Sequence, residues 1–172
     1  MTFSIIRRAV ATFHKTFGAA ALLCLSAPCW ATSAMGTAEV KLLDDGRPCF
    51  AVPAKEARRD PAARLQAISV ADDAEQSNRK MWTMHFRTVG GLPISSFSCL
   101  PYGQVPEGGT SEAVSELQDG RTYYVSLNVK PSDRSDPTRG YYAKFCIVGA
   151  GAERRIRPIP ESSPNWQTGR CE

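Results

Sequence analysis

The sequence predicts an all-β protein in which two antiparallel sheets pack face to face as a sandwich of about seven strands. Short runs of alternating apolar and polar residues recur over residues 35–160 with turn residues between them, and no amphipathic helical stretch exceeds a couple of turns. A leucine, glycine, tyrosine and valine at residues 117–125 have the spacing of a corner in such a sandwich. Four cysteines after an N-terminal export signal indicate that disulfides staple the fold.

Residues 1–34 have the pattern of an export signal peptide. Three basic residues and no acidic residue accompany an apolar run of about 14 residues, which is too short to span a bilayer. Cleavage is expected after Ala31 or Ala34, and we favour Ala34. The twin-arginine route is disfavoured because the usual flanking Ser and Phe are missing around Arg7-Arg8, and a buried N-terminal helix is the remaining alternative. Neither Cys24 nor Cys29 follows the small residues of a lipoprotein signal, so we expect a periplasmic protein without a lipid anchor.

The charge of the mature chain excludes one class of partner. The whole sequence carries a net charge of +4, but removing residues 1–34 takes away three of its 21 basic residues and none of its 17 acidic residues. The net charge is then +1, without the clustered basic face that nucleic-acid binding requires. No further transmembrane segment follows the signal, and we expect one monomeric domain over residues 35–160 with a polar tail over 161–172.

The first half of this domain is predicted to contain a hairpin and further short strands. Asp-Gly between "TAEVKLL" and "RPCFAVP" predicts a hairpin over residues 37–53. The polar segment 54–64 is expected to be a loop or a short helical turn. "LQAISVA" follows as a strand whose core-facing residues are either Leu65, Ala67 and Ser69 or Gln66, Ile68 and Val70. The alternation in "KMWTMHFRTV" places one set towards the core, namely Trp82, Met84, Phe86 and Thr88, and turns Met81, Thr83, His85 and Arg87 outward.

The second half begins with a strand in "ISSFSCL" and a long loop over residues 101–112. A brief strand or helical turn is expected at 113–117. Two long strands, "TYYVSLNVK" and "GYYAKFCIVG", should pair around a polar connection. "ERRIRPIP" is expected to be an edge strand, because arginine and proline discourage an edge from pairing with another molecule.

The corner motif lies just before the first of these two strands. Leu117, Gly120, Tyr123 and Val125 follow the order L-x-x-G-x-x-Y-x-V, which resembles the tyrosine corner of immunoglobulin-like and fibronectin III-like domains. There a leucine fills the core, a glycine makes the turn, and the tyrosine hydroxyl bonds back across a corner that joins the two sheets. A plain hairpin ending in Asp-Gly is the alternative. The predicted fold is therefore an immunoglobulin-like sandwich.

The same alternation predicts which side chains face solvent. With Tyr123 inward, Tyr124 faces outward, and in the next strand Tyr142 and Cys146 do the same. Cys49 in the first hairpin also faces away from the core. Four mature cysteines allow three disulfide connectivities, and we favour the pairs Cys49–Cys99 and Cys146–Cys171, the second of which would pin the polar tail.

The sequence shows no constellation for catalysis, a cofactor or a metal. His85 is the one histidine of the mature chain and has no G-x-S-x-G partner, and the cysteines lie tens of residues apart, unlike a metal motif. Asp44-Asp45 and Asp72-Asp73 have the composition of turns, and Arg154, Arg155 and Arg157 fit a charged sheet edge. We therefore expect a non-enzymatic protein without a cofactor or a metal.

Several short segments stand in a distinctive order: "GRPCFAVP" at 46–53, "CLPYG" at 99–103, "LQDGRTYYVSL" at 117–127, and "YYAKFCIV" at 141–148 followed by "RIRPIP". Together they cover most of residues 38–160 and resemble a family of small bacterial envelope proteins, mostly lipoproteins, described as periplasmic immunity proteins of type VI secretion systems. The chain departs from that family in lacking a lipobox and in its tail beyond Pro160. The resemblance implies a role in toxin immunity and supplies no catalytic residues.

Two functions follow as expectations. The first is a periplasmic binding protein that neutralises a toxin or another hydrolase, with Tyr102 in the "PYGQVPEGG" loop as an inserting element, or with Tyr124 and Tyr142 as an alternative contact face. The second is a structural, adhesion or assembly module of the envelope that binds through exposed sheet edges.

Overall fold

The computed structural model describes residues 34–74, 79–87, 90–93, 99–112 and 114–171. The predicted signal peptide lies outside the described residues except for Ala34, as does most of the strand predicted at 94–100. Ala34 is the first residue of a strand, and its N–H donates to the carbonyl of Pro137 at 3.1 Å. Cleavage after Ala31 would therefore leave this strand whole, whereas cleavage after Ala34 would shorten it.

The described residues form eleven strands and two short α-helices. The first helix, α1, spans Ala54–Arg59, and the second, α2, spans Asn165–Thr168. A single turn of 3₁₀ helix lies at Gly151–Glu153. In chain order the strands are β1 Ala34–Thr37, β2 Glu39–Leu42, β3 Pro48–Ala51, β4 Arg64–Asp72, β5 Arg79–Phe86, β6 Leu92–Pro93, β7 Leu100–Pro101, β8 Gly109–Ser111, β9 Thr122–Lys130, β10 Thr138–Val148 and β11 Arg155–Ile159.

The strands make two sheets that form a sandwich, as predicted. The larger sheet has the order β1-β10-β9-β4-β5-β8, with β11 also paired to β10 and β6 also paired to β4. The smaller sheet has the order β2-β3-β7. Within the described residues the strand count exceeds the expected seven because several strands are only two to four residues long and because the first strand changes sheets at Ala38, between β1 and β2. Ten of the strands pair antiparallel, and β1 runs parallel to β10.

The core lies between the sheets and follows the alternation of β9 and β10. Their predicted inner residues all belong to one buried cluster: Tyr123, Val125, Leu127, Val129, Tyr141, Ala143, Phe145 and Ile147. Phe50 of the smaller sheet packs against Trp82 and Phe145 of the larger one, with ring centroids 6.4 and 5.9 Å apart. Burial of these aromatic side chains between the sheets is the main source of stability for such a domain.

Two β-bulges change the predicted faces of β4 and β5. In β4 the register shifts between Leu65 and Ala67, so Leu65 is buried, as are Ile68 and Val70; each of the two alternative inner sets was partly right. The β4–β5 register shifts again at Met81, the unpaired extra residue of β5, which was predicted to face outward and is instead buried beside Trp82. An extra residue in one strand inverts the alternation beyond it, and periodicity does not reveal the extra residue.

The corner motif has the predicted geometry, but it does not connect the two sheets. The Gln118 N–H donates to the hydroxyl oxygen of Tyr123 at 2.6 Å, and that hydroxyl donates to the Gln118 carbonyl at 3.2 Å. Gly120 has φ 76°, a left-handed conformation that favours glycine. The preceding strand, β8, belongs to the same sheet as β9, so the corner returns the chain from the edge of the larger sheet to its centre. The expectation of a join between sheets was wrong.

Both disulfides have the favoured pairing, Cys49–Cys99 and Cys146–Cys171, with Cα atoms 5.6 Å apart in each. Cys49 and Cys146 are fully buried, yet neither belongs to the core cluster between the sheets. They face outward from their sheets, as predicted. The Cys146–Cys171 bridge fixes the C-terminal tail to the outer face of β10.

Charged side chains at the end of β4 and beside the corner motif form ion pairs and hydrogen bonds. Asp72 is buried at the end of β4, where it accepts a hydrogen bond from the Ala74 N–H at 3.0 Å and pairs with Arg121 at 2.6 Å. Arg154 pairs with Asp119 at 2.8 Å and donates to the carbonyl of Gly46 at 3.0 Å. The Asp72 turn bond agrees with the expected turn chemistry, while Arg154 links the corner to the first hairpin.

Replacing Tyr123 with Phe should lower the free energy of unfolding by about 1 kcal/mol, because the part-buried N–H and carbonyl of Gln118 lose their partner while the ring stays in place. Urea unfolding followed by tryptophan fluorescence measures the change. Tyr124→Phe is the matched control, since its hydroxyl makes no hydrogen bond to another described residue. Equal losses in the two variants would show that the corner hydrogen bonds do not stabilise the fold.

Candidate protein-binding surface

Three aromatic side chains cluster on the outer face of the larger sheet. Tyr124 of β9 and Tyr142 of β10 are diagonal neighbours, with rings nearly parallel at 28° and centroids 6.0 Å apart. Trp166 of α2 packs against Tyr142 with centroids 5.8 Å apart. All three are half-buried, so each keeps one part of its ring in contact with solvent. We call Tyr124, Tyr142 and Trp166 the aromatic surface.

The position of Trp166 depends on the disulfide-linked tail. Cys146 lies on the same face of β10 as Tyr142, and its bridge to Cys171 brings the tail over that face. Arg157 of β11 donates to the carbonyl of Cys171 at 2.8 Å. At the end of α2, Gly169 has φ 63° and passes so close to the Asp73 carbonyl that a Cβ atom would clash. The tail therefore fits against the sheet only with glycine at this position.

An ion pair under the tail holds the tryptophan backbone. The Lys144 ammonium lies 2.6 Å from a carboxylate oxygen of Asp73 and donates to the carbonyl of Trp166 at 2.7 Å. It also lies 5.0 Å from the centroid of the Trp166 ring, within the range of a cation–π interaction. Only 13% of the Lys144 side chain and 14% of the Asp73 side chain are exposed, so water screens this pair little. The pair connects the tail, the end of β4 and β10.

The two tyrosines of the surface titrate above the ordinary range for tyrosine. Burial, followed by the negative charges of Asp73 and Glu161, raises the pKa of Tyr124. A hydrogen bond from the Tyr142 hydroxyl to the Glu161 carboxylate is the main cause that raises the pKa of Tyr142. Both side chains are therefore neutral at physiological pH and present a polar hydroxyl at the end of an apolar ring.

A groove opens beside the aromatic surface, where the chain passes from β1 to β2. Its volume is about 650 Å³, and most of its exposed lining is apolar. We call it the edge groove. It lies between the β1–β2 segment, the middle of β10, the end of β11 and the tail. Its lining comprises Thr37, Ala38, Glu39, Val40, Lys41, Tyr142, Ala143, Lys144, Pro158, Ile159, Pro160, Glu161, Ser162 and Trp166. Tyr142 and Trp166 thus belong both to the groove and to the aromatic surface.

Of the three predicted contact residues, the structure brings together Tyr124 and Tyr142 and places Tyr102 elsewhere. The expectation that Tyr102 would be exposed on an inserting loop is wrong, because only 7% of it is exposed. Its ring packs edge-on against Trp82, and its hydroxyl lies 2.7 Å from the carbonyl of Ser115 and 3.1 Å from that of Met81. Burial raises the pKa of Tyr102 strongly. The loop instead exposes Val105, which is 44% accessible.

Sequence reasoning did not identify Trp166. The signal was nevertheless present: Cys146, Lys144 and Tyr142 alternate on one face of β10, so a disulfide from Cys146 to the tail must bring the tail over Tyr142. The tryptophan five residues before Cys171 then becomes the natural contact for that tyrosine.

His85 is exposed on β5, as expected for a strand residue that faces outward. Among the residues that the structure describes, no group of three or more His, Cys, Asp or Glu side chains is placed to hold a metal ion. Within the same ranges, no helix is long and apolar enough to cross a membrane.

Comparison with known proteins gives no match among protein-family models, curated protein sequences or solved structures.

Raising the pH should destabilise the fold only above about pH 10. All five tyrosines have a raised pKa in the folded protein, whereas in the unfolded chain they titrate near 10. The tyrosine contribution to stability is therefore fully present below that pH and is lost as the pH rises, because the unfolded tyrosines ionise first. Phenolate absorbance, titrated with and without urea, measures the difference. Superimposable titration curves would contradict the burial of these hydroxyls.

Replacing both Cys146 and Cys171 with Ser should release the tail and lower the free energy of unfolding by about 3 kcal/mol. Trp166 should then become more accessible to acrylamide, while Trp82, buried in the core, should not. The matched control replaces Cys49 and Cys99 with Ser, which removes a disulfide elsewhere. If quenching of Trp166 increased equally in both variants, the tail would not be held by its own bridge.

Proposed function

We propose that this chain is a non-enzymatic, exported protein that works in the periplasm, where it neutralises a secreted bacterial toxin or another hydrolase by binding to it. The aromatic surface is the observation that carries the proposal. Tyr and Trp are enriched at the centres of protein interfaces, where each combines a large apolar ring with one polar group. Tyr124, Tyr142 and Trp166 offer this combination at one place on the sandwich.

The way the surface is held supports a binding role. Ordering of interface side chains costs free energy when a complex forms, and that cost falls when the side chains are already fixed. Here the two tyrosines stand on paired strands, and Trp166 is fixed by a disulfide, an ion pair and a cation–π contact. The surface needs little rearrangement before it meets a partner.

The compartment is inferred from two further features. Disulfides persist in oxidising compartments such as the periplasm, and the chain has two of them. The predicted export signal leads to the same compartment. The resemblance of segments at 46–53, 99–103 and 117–127 to periplasmic immunity proteins supplies the class of partner, a delivered toxin.

A structural or assembly module of the envelope is the second candidate. It is favoured by β2, which is the outer strand of the smaller sheet and has a free edge among the described strands. Free edges pair readily with strands of other chains. Self-association into polymers would support this candidate, whereas a tight one-to-one complex with a toxin supports the first.

The proposal is tested by expressing the product of the neighbouring gene in the periplasm, with and without this chain. We expect growth to stop when the neighbour is expressed alone and to recover when the chain is present. No toxicity, or toxicity that the chain does not relieve, combined with no complex between the two purified proteins, would contradict the proposed role.

Trp166→Ala should weaken binding to that partner by about thirtyfold, the loss typical of an interface hot spot. Val105→Ala is the control, because Val105 is an exposed apolar residue outside the aromatic surface and the edge groove. Calorimetric titration measures the affinity, and urea unfolding verifies that both variants are folded. Equal affinities of the two variants would show that the aromatic surface is not part of the interface.

A further inference from the structure

The edge groove exists because two strands use the same edge of β10 one after the other. Thr37 of β1 pairs with Tyr142, and the N–H of Ala38 donates to the Tyr142 carbonyl at 2.8 Å. Beyond this point β1 leaves the larger sheet and continues as β2 in the smaller one. From Lys144 onward the same edge pairs with β11, beginning at Ile159. The groove is the gap between the departing β2 and the arriving β11.

The backbone of β2 directs hydrogen-bonding groups towards this gap. In an antiparallel pair, residues alternate between bonding to the partner strand and pointing away from it. Leu43 donates to Arg47 at 2.9 Å, so the pairs that bond across β2 and β3 are Lys41 with Cys49 and Glu39 with Ala51. The N–H and carbonyl groups of Val40 and Leu42 consequently point away from β3. Ala38 lies two residues before Val40, so its backbone groups point in the same direction, and its N–H bonds to β10. This edge of β2 therefore faces the groove.

β11 does not close the gap, although it contacts β2. The Tyr142 carbonyl shows that even-numbered residues of β10 direct their backbone groups to this edge, so Lys144 and Cys146 bond to Ile159 and Arg157 of β11. Pro158, between these two residues, therefore directs its backbone groups the other way, towards the groove. Proline has no N–H to donate, so Pro158 removes one of the donors that a ladder with β2 would need.

The groove has the chemistry of a site for an extended peptide. Its length is bordered by a strand edge with an amide and a carbonyl at Val40, and its walls carry the apolar surfaces of Tyr142, Trp166 and Pro158. A volume of about 650 Å³ lies within the usual range of ligand pockets and accepts a few large side chains. An added strand would bond to the edge and place alternate side chains in the groove.

The charges around the groove specify the partner further. Glu39 pairs with Lys41 at 2.9 Å, and Lys144 pairs with Asp73. Glu161 is exposed and, among the described residues, has no ion pair; it lines the groove together with Tyr142, whose pKa it raises. A lysine or arginine of the ligand would complement this carboxylate.

We propose that the edge groove binds an extended segment of the partner protein as an added strand on β2, with apolar side chains at alternate positions and a basic side chain beside Glu161. The identity of the occupant as a partner protein rests on the proposed function, whereas its backbone conformation and chemistry rest on the groove itself. Recognition then has two parts: the β2 edge hydrogen-bonds to an extended backbone, and Tyr142 and Trp166 contact the apolar side chains.

The first test uses a phage-displayed library of random peptides about ten residues long, which exceeds the four residues of β2 along which an added strand would pair. Selected against the mature protein, the bound peptides should alternate apolar residues and carry Lys or Arg. Val40→Pro should weaken their binding at least tenfold, because it removes the N–H that faces the groove and leaves the bonds from Glu39 and Lys41 to β3 in place. Peptides without alternation, or equal binding by Val40→Pro, would overturn the proposal.

Glu161→Lys provides a second variant that does not touch the sheet backbone. It should weaken binding of the selected peptides about tenfold, whereas Glu107→Lys, an equal charge change in an exposed loop, should leave their affinity unchanged. Equal effects of the two charge changes would show that Glu161 makes no specific contact.

Amide hydrogen exchange supplies a readout that does not depend on affinity. In the free protein the Val40 and Leu42 amides should exchange quickly while that of Lys41 is protected, and bound peptide should slow exchange at Val40. Sedimentation of the free protein distinguishes another occupant: a dimer abolished by Val40→Pro would mean that a second copy fills the groove, and would overturn the proposal. If the chain fails to protect against its neighbour but these peptide results hold, the proposed function fails and the groove assignment stands.

Discussion

The antiparallel pairing of β9 with β10 is the interaction on which the other features depend. Because Tyr123 pairs with Phe145, the choice of residues that face the core is fixed in both strands together. One set of side chains then enters the core between the sheets, and the other set faces outward. Because successive residues point to opposite faces, the adjacent tyrosines at 123 and 124 have different surroundings: the first is buried under the corner, and the second joins the aromatic surface.

The alternation of residues along β10 has two consequences, one for its side chains and one for its backbone groups. Perpendicular to the sheet, it places Cys146 outward, where the bridge to Cys171 can hold the tail and Trp166. Within the sheet, it directs the backbone groups of even-numbered residues to the edge shared by β1 and β11. The aromatic surface and the edge groove are therefore adjacent because a single strand organises both. A shift of β10 by one residue would bury Tyr142, expose Phe145 and move the disulfide to the wrong face.

The features that alternation alone determines could be predicted from the sequence, and those that depend on a distant segment could not. The inner and outer sets of β9 and β10, the first hairpin and the corner hydrogen bond follow from local patterns at residues 117–148 and 37–53. Met81 could not be placed correctly, because it is the extra residue of a bulge in β5 that depends on the pairing with β4. Tyr102 was expected to be exposed because glycines and prolines surround it in a loop, but Trp82 and two distant carbonyls enclose it. The groove depends on where β1 leaves β10, and no local pattern records that point.

The two free edges beside the groove are treated differently by the sequence. On β11, Pro158 lacks a donor and Arg157 turns its guanidinium to the tail, so this edge resists pairing with another strand. On β2, Val40 lines the groove, and Leu42 directs its backbone groups to the same edge; both keep their backbone donors and have apolar side chains. An edge that served no purpose would gain from the same protection against aggregation that β11 has. The contrast across one narrow gap favours a β2 edge kept open for an added strand, with the disulfide-held tail forming the wall that limits which strand can enter.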